Sequence, residues 1–223
     1  TVGDMESQPF IEAMRQVSDQ VGRENCLFIH VTLLPYLSMT AEIKTKPTQH
    51  SVQKLLSFGI QPDILVVRTE IPIDEGIRQK LALYCNVKQE AVIPNLDCDS
   101  VYELPLMLEK DGLARVVCNR LEIAQYVEPG LSGWEQLVVR IKSARKPLNI
   151  SLVGKYTELF DAYYSVSEAM DHAGIAHGAM LKIDWVSAEA LEGLTQEEVA
   201  ARFTESDAII VPGGFGPRGM EGM

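Results

Sequence analysis

Long hydrophobic runs are missing from this 223-residue chain. No window approaches the roughly eighteen uninterrupted apolar residues that a membrane-spanning helix requires. The N-terminus has neither a basic n-region nor an apolar h-region, so no secretory signal is read there. Positive charge is also scarce: 20 Lys and Arg stand against 31 Asp and Glu, giving a net charge of −11 and a pI of about 4.8. A surface of that sign excludes a generic nucleic-acid binder, whose phosphate contacts need clustered Lys and Arg. Cysteine is sparse and unpaired. Cys26, Cys85, Cys98 and Cys118 lack the close, repeated spacing of disulfide frameworks and zinc sites. They read as reduced thiols, packed as small hydrophobes in a cytoplasmic protein. Internal repeats and low-complexity tracts are absent. The apolar share of 46% supports a packed core rather than disorder. Because the chain opens at Thr1 and stops at Met223 inside a glycine-rich turn, it reads as an internal piece of a longer protein.

Periodicity predicts alternating helices and strands. Asp4 is a candidate N-cap, and Phe10, Met14, Val17 and Val21 recur at helical spacing, so 5–22 reads as an amphipathic helix. The run at 26–34 reads as a strand buried on both faces, and Thr48 as the start of a helix ending near Gly59. Strands follow at 63–68 and 91–94, with a helix over 74–86 between them and mostly helix over 100–125. Pro129, Gly130 and Gly133 break the pattern before an exposed helix at 131–143. Alternation then restarts, with strands at 148–154, 180–186 and 207–216 and helices at 161–173 and 191–203. The expected fold is α/β, with two doubly wound parallel-sheet domains, each incomplete. Their expected boundaries are 1–126 and 147–223, joined by a linker over 127–146.

The most informative chemistry lies in EIKTKPTQHS (42–51). Lys44 and Lys46 sit two apart in an extended stretch, placing both ammonium groups on one side. Pro47 is expected to keep Lys46 extended, and a helix then opens at Thr48. Two cations ahead of the positive end of a helix are unfavourable unless an anion joins them. A triphosphate suits that arrangement; two solvated lysines before an ordinary helix is the plainer alternative. Lys80 and Tyr84, one helical turn apart, offer either a phosphate contact beside a base platform or a solvated lysine and a core tyrosine.

A second informative segment is VPGGFGPRG (211–219). Consecutive glycines after a buried strand either end that strand in a plain loop or turn backbone N–H groups toward a developing oxyanion. Dinucleotide binding is a poor fit, because the pattern is not GxGxxG opening a helix. No cysteine or serine stands in a strand–elbow–helix context, so the chain lacks a recognisable nucleophile. His30 falls within an apolar strand and reads as a satisfied core histidine. His50, His172 and His177 have no neighbouring Asp–nucleophile pattern.

Together, TVGDMES (1–7), EIKTKPTQHSV (42–52), GIQPDILVVR (59–68), LVGKY (152–156) and VPGGFGPRGMEGM (211–223) resemble the CTP synthases in order and spacing across nearly the whole chain. The resemblance implies a P-loop-like synthetase (amidoligase) domain followed by a flavodoxin-like class I glutamine amidotransferase domain. It implies a ligase of de novo pyrimidine nucleotide synthesis, making CTP from UTP, ATP and glutamine or ammonia through a 4-phosphorylated UTP. By the same resemblance Lys44, Thr45, Lys46, Pro47, Thr48 and Gln49, with Lys80, hold the triphosphate of UTP or of CTP. Asp4, Met5, Glu6 and Tyr84 border CTP acting as feedback inhibitor. Leu96, Asp97 and Cys98 match a stretch that approaches ATP, although Leu96 departs from the Lys-Asp-Val-like run common there. Gly213 and Gly214 contact glutamine and form the oxyanion hole, and Arg218 lies beside them, where a GTP-responsive lid is read.

The resemblance also implies parts outside this chain. The N-terminal phosphate loop and the acidic ligands of the Mg²⁺ that accompanies ATP would precede Thr1. The nucleophilic cysteine and its His–Glu pair would follow Met223, leaving no catalytic residue and no metal ligand here and making the piece inactive alone. GTP as activator, a cytoplasmic location and a homotetrameric parent are further expectations. Two rival readings remain: another P-loop amidotransferase ligase of the cobyric acid synthase kind, and a non-catalytic nucleotide-binding or filament-forming module.

Overall fold

The structure is a computed structural model that describes residues 1–123, 130–214, 219 and 222, with only the backbone of Phe160. The chain divides into two compact units, Thr1–Trp134 and Glu135–Met223. Both are α/β, and each is built on a parallel sheet. No described helix is long and apolar enough to cross a membrane.

In the first unit, β1 (Ile29–Leu33), β4 (Ile64–Thr69) and β5 (Val92–Leu96) form a parallel sheet with β4 in the middle. The central strand is apolar on both sides because helices cover both faces. Leu65, Val67 and Val92 pack with Leu34, Val52, Leu81 and Cys85, burying α2 (Lys46–Ser57) and α3 (Glu75–Cys85) on one face. Ile64, Val66 and Ile93 pack with Leu108, Leu113, Val116 and Val117 of α4 (Leu104–Lys110) and α5 (Leu113–Arg120) on the other. A two-stranded hairpin, β2 (Tyr36–Leu37) against β3 (Glu42–Ile43), leads from β1 into α2. Asp63, its side chain only 13% exposed, fastens the amino-terminal side of this sheet. Its carboxylate accepts hydrogen bonds from Arg23 Nη2 (2.9 Å), Arg120 Nε (2.9 Å) and the Phe28 backbone N–H (2.8 Å).

Several sequence expectations need correction. The strand predicted at 26–34 as buried on both faces covers only Ile29–Leu33 and alternates: His30 and Thr32 are buried, whereas Ile29, Val31 and Leu33 are exposed. Among the described residues β1 is a sheet edge covered by α2 on one face alone, so two-sided burial fails. The helix expected over 5–22 begins as a 3₁₀ turn at Met5–Ser7, and α1 proper is Gln8–Val21. Asp4 forms no side-chain cap; its carboxylate lies 3.0 Å from the Thr1 amino group instead. The stripe Phe10, Met14, Val17 and Val21 is exposed, and Ile11 and Ser18 are the buried positions. Helical period was legible there, but the buried face was not. Over the described residues 100–123 the stretch is mostly helical, as expected, and Gly112, at a φ of +82°, separates its two α-helices.

The second unit opens within α6 (Ser132–Ser143) and holds a parallel sheet ordered β7 (Ala179–Ser187), β6 (Lys146–Gly154), β8 (Ala208–Ile210). Ile150 and Leu152 pack with Met170 of α7 (Tyr164–His177) and with Tyr163 on one face. Val153 and Val186 pack with Leu191 and Phe203 on the other, beside α8 (Gln196–Arg202). Tyr163 closes over the end of β6. A Cβ on Gly154 would lie 2.6 Å from its ring, and its hydroxyl accepts the Lys155 N–H at 2.9 Å. Among the described residues, the strand expected over 207–216 pairs at Ala208–Ile210, so Gly213 and Gly214 lie in irregular backbone beyond it; residues 215 and 216 lie outside the described residues.

Candidate functional site

The first turn of α2 is set by what the chain does on leaving β1. The Leu34 N–H donates to the Arg68 carbonyl, which extends the sheet by one bond. After the hairpin the Lys44 N–H donates to the Pro35 carbonyl at 2.9 Å, bringing the chain back beside the end of β1. Lys46 is already helical, with Pro47 inside the first turn and Thr45 as N-cap residue. Lys46, expected to be extended, is therefore helical, and the helix starts two residues before the expected Thr48. Proline is tolerated here because N–H groups of a first turn have no intrahelical acceptor to lose. Gln49 donates its side-chain amide to Thr45 Oγ1 at 3.1 Å, and Thr48, fully buried, donates its hydroxyl to the Leu33 carbonyl at 3.0 Å.

This local fold leaves a hollow of about 310 Å³ lined by Glu42, Ile43, Lys44, Thr45, Lys46 and Lys80. Lys80 comes from α3, whose neighbouring Leu81 is packed in the core against Val52 of α2. Three ammonium groups from two separate stretches of the sequence thus converge beside the positive end of α2. Lys44 is engaged by Glu42, with Nζ to Oε2 at 2.6 Å. Lys46 and Lys80 have no hydrogen-bond or ion-pair partner among the described residues. The lining carries three positive charges against one negative, an arrangement that favours an anion.

Other predicted residues lie elsewhere. Tyr84 is 60% exposed one turn beyond Lys80 and does not line this hollow. Asp4, Met5 and Glu6 are exposed at the chain start. The helix they precede packs through Ile11 onto Leu55, Ile60 and Phe58 at the far end of α2. Leu55 is nine residues beyond Lys46, about 13 Å along a helix axis.

A second, larger hollow of about 550 Å³ opens at the carboxyl ends of β4 and β5, where parallel α/β sheets commonly bind ligands. Leu96, Asp97 and Cys98 line it with Thr69, Arg78 and Asp111, among others. The Asp97 N–H donates to the Thr69 carbonyl at 2.9 Å, holding the loop after β5 against the end of β4. Arg78 donates to the Val92 carbonyl at 2.6 Å and approaches Asp111 at 3.9 Å. Burial raises the Asp111 carboxyl above its ordinary value, with Arg78 and Lys110 acting in the opposite direction.

His30 is 7% exposed and hydrogen-bonded to Ser51 (2.9 Å), the satisfied core histidine expected; desolvation lowers its pKa. In the second unit Gly213 has open space around its Cβ position, and Gly214 follows it. Arg218 lies outside the described residues. Among the described residues no group of three or more His, Cys, Asp and Glu side chains is placed to hold a metal ion.

Two residues escaped the sequence reading. Glu42 precedes Lys44 by two in an extended segment, a spacing that itself puts the two side chains on one side. Arg68 is an exposed cation near the end of an otherwise buried strand, in register with Leu33 and Asn95. Its position at the carboxyl end of the sheet was visible only once β4 proved central.

Comparison with known proteins identifies relatives of this chain. Residues 1–123 match the family described as CTP synthase N-terminus. The chain is 53% identical over 222 residues to a CTP synthase of Ruminiclostridium cellulolyticum and 52% over 224 residues to one of Symbiobacterium thermophilum. It is 51% identical over 225 residues to one of Methanocaldococcus jannaschii. These alignments cover 100% of this chain but 41%, 41% and 42% of the relatives, so the chain spans about two fifths of their length. By the match of its first 123 residues, this chain belongs to the CTP synthase family.

Proposed function

We propose that the full-length protein is a CTP-forming ligase, in which the hollow between α2 and α3 holds the triphosphate of UTP. The observation that carries this reading is the convergence of Lys44, Lys46 and Lys80 at the start of α2. A triphosphate entering there meets ammonium groups on two helices and the unpaired N–H groups of the first helical turn, each a charge-assisted donor. Thr45, Pro47, Thr48 and Gln49 build that turn, and CTP bound as end product uses the same cations. Asp4, Met5, Glu6 and Tyr84 contribute to the feedback form of that complex. The hollow holding Leu96, Asp97 and Cys98 takes ATP, which phosphorylates the uracil 4-oxygen before ammonia displaces the phosphate. Mg²⁺ bound with ATP neutralises phosphate charge through ligands outside the described residues.

Unit two carries the start of a glutamine amidotransferase domain in this reading. Gly213 and Gly214, just past a parallel strand, supply backbone N–H groups for glutamine and its oxyanion; the cysteine, histidine and glutamate of hydrolysis lie elsewhere in the full-length protein. GTP acts as activator, and the parent is a cytoplasmic homotetramer. The decisive experiment is UTP titration calorimetry on the full-length protein and its Lys46→Ala/Lys80→Ala variant. Each lost ammonium–phosphate contact in a partly hydrated hollow is worth roughly tenfold, so affinity should fall about 100-fold. Unchanged UTP affinity would remove the basis of the assignment.

A further inference from the structure

We infer that Thr32, His30 and Ser51 are positioning residues, because they fix where α2 sits along β1 and so where its lysine-bearing first turn lies. The inference rests on the reading of the hollow as a triphosphate site. The inward face of α2 consists of Thr48, Ser51, Val52 and Leu55, spaced for one helical stripe. Its second half is apolar: Val52 packs with Leu34 and Val67, and Leu55 with Ile11 and Ile60. Its first half, nearest the lysines, is polar and faces a polar stretch of β1. Thr32, 6% exposed, donates to Thr48 Oγ1 at 3.3 Å, and Thr48 passes a hydrogen bond on to the Leu33 carbonyl at 3.0 Å. His30 Nε2 and Ser51 Oγ are joined at 2.9 Å one helical turn further along.

An apolar seam would be easier to build at this depth. Buried hydroxyls and an imidazole gain little net stability over hydrocarbon of the same shape. They do gain direction. Hydrophobic contact is non-directional and tolerates a small slide of helix over strand, whereas two hydrogen-bonded pairs at fixed heights do not. The Lys44 backbone is separately tied to Pro35. Holding α2 at Thr48 and Ser51 therefore sets the separation of Lys44, Lys46 and Lys80, the quantity on which shared binding of one polyanion depends. None of the three positioning side chains lines the hollow.

Thr32→Val keeps shape and removes the donor; Thr32→Ser keeps the donor. Val66→Ala truncates the opposite face of the sheet, far from the seam in packing terms. In steady-state assays of CTP formation by the full-length enzyme, Thr32→Val should raise the UTP KM about tenfold, the scale of one net hydrogen bond, with kcat within twofold. Thr32→Ser should restore KM, and Val66→Ala should leave it within twofold despite an equal or larger fall in melting temperature. Should Thr32→Val fail to fold, Ser51→Ala is read against the same criteria. The inference is overturned if KM stays within twofold in the valine variant, if serine does not rescue it, or if Val66→Ala raises KM equally. Loss of UTP affinity in Lys46→Ala/Lys80→Ala with a normal Thr32→Val sinks this inference alone. Normal affinity in the lysine variant sinks the site itself.

Discussion

Glu42→Gln is expected to tighten triphosphate binding, although it deletes an ion pair. In the structure the Glu42 carboxylate holds Lys44 at 2.6 Å, and both side chains are substantially exposed, at 56% and 42%. An exposed pair of this kind contributes at most about 1 kcal/mol to stability, so its loss should barely affect folding. For a phosphate the same carboxylate is a competitor. A phosphate oxygen sharing the Lys44 ammonium would lie about 5 Å from the carboxylate, since each charge-assisted bond is near 2.8 Å. Two like charges about 5 Å apart in an open, hydrated hollow repel by about 1 kcal/mol. Removing that repulsion corresponds to about fivefold tighter binding. Titration calorimetry of UTP into the full-length variant at low ionic strength measures it directly. The gain should shrink at 0.5 M salt, where screening shortens to about 4 Å. Weaker binding in Glu42→Gln would refute the reasoning, because it would make Glu42 a necessary orienter of Lys44 rather than its competitor.

Asp63→Asn should lower stability by about 2 kcal/mol, since a largely buried carboxylate would no longer pair with Arg23 and Arg120; the urea midpoint of the first transition should fall. The reasoning fails if that midpoint is unchanged. His30 titrates below its ordinary 6.5 in the folded state because burial disfavours the charged ring. The unfolded chain thus binds its proton first, and stability present above pH 6.5 is lost as pH falls from there through the folded-state pKa. His30→Gln should reduce that loss in melting curves compared between pH 8 and pH 5; an identical loss would count against it. Burial pushes the Cys85 thiol up to about 11, whereas Cys26, Cys98 and Cys118 are only half-buried. Iodoacetamide mapping of the native protein at pH 8 should therefore find Cys85 modified last.

Local periodicity carried much of the fold. The helix expected over 74–86 is α3 at Glu75–Cys85, and the strand at 63–68 is β4 at Ile64–Thr69, because both have a strongly patterned face or continuous apolar character. Boundaries failed where a special residue decided them: Pro47 entered α2 instead of preceding it. Burial failed where it depended on which surface finds a partner. Val31 is as apolar as Val66, yet among the described residues only the latter has helices against it.

The candidate site divides the same way. Residues 44–49 were legible because two lysines, a proline and a helix start sit within one stretch of chain, where covalent spacing alone fixes their proximity. Lys80 could be named from its helical spacing to Tyr84, but its arrival beside Lys46 follows from packing Leu81 against Val52. The sequence by itself determined the α/β class, the elements and the charge clustered at the start of α2. Tertiary structure alone decided that Glu42 engages Lys44, that Thr32 and Thr48 meet, and that Asp4 to Glu6 stand apart from the lysines within this chain. Helical period and local charge are properties of neighbours along the chain, whereas those pairings depend on how strands and helices order in space, which no local pattern encodes.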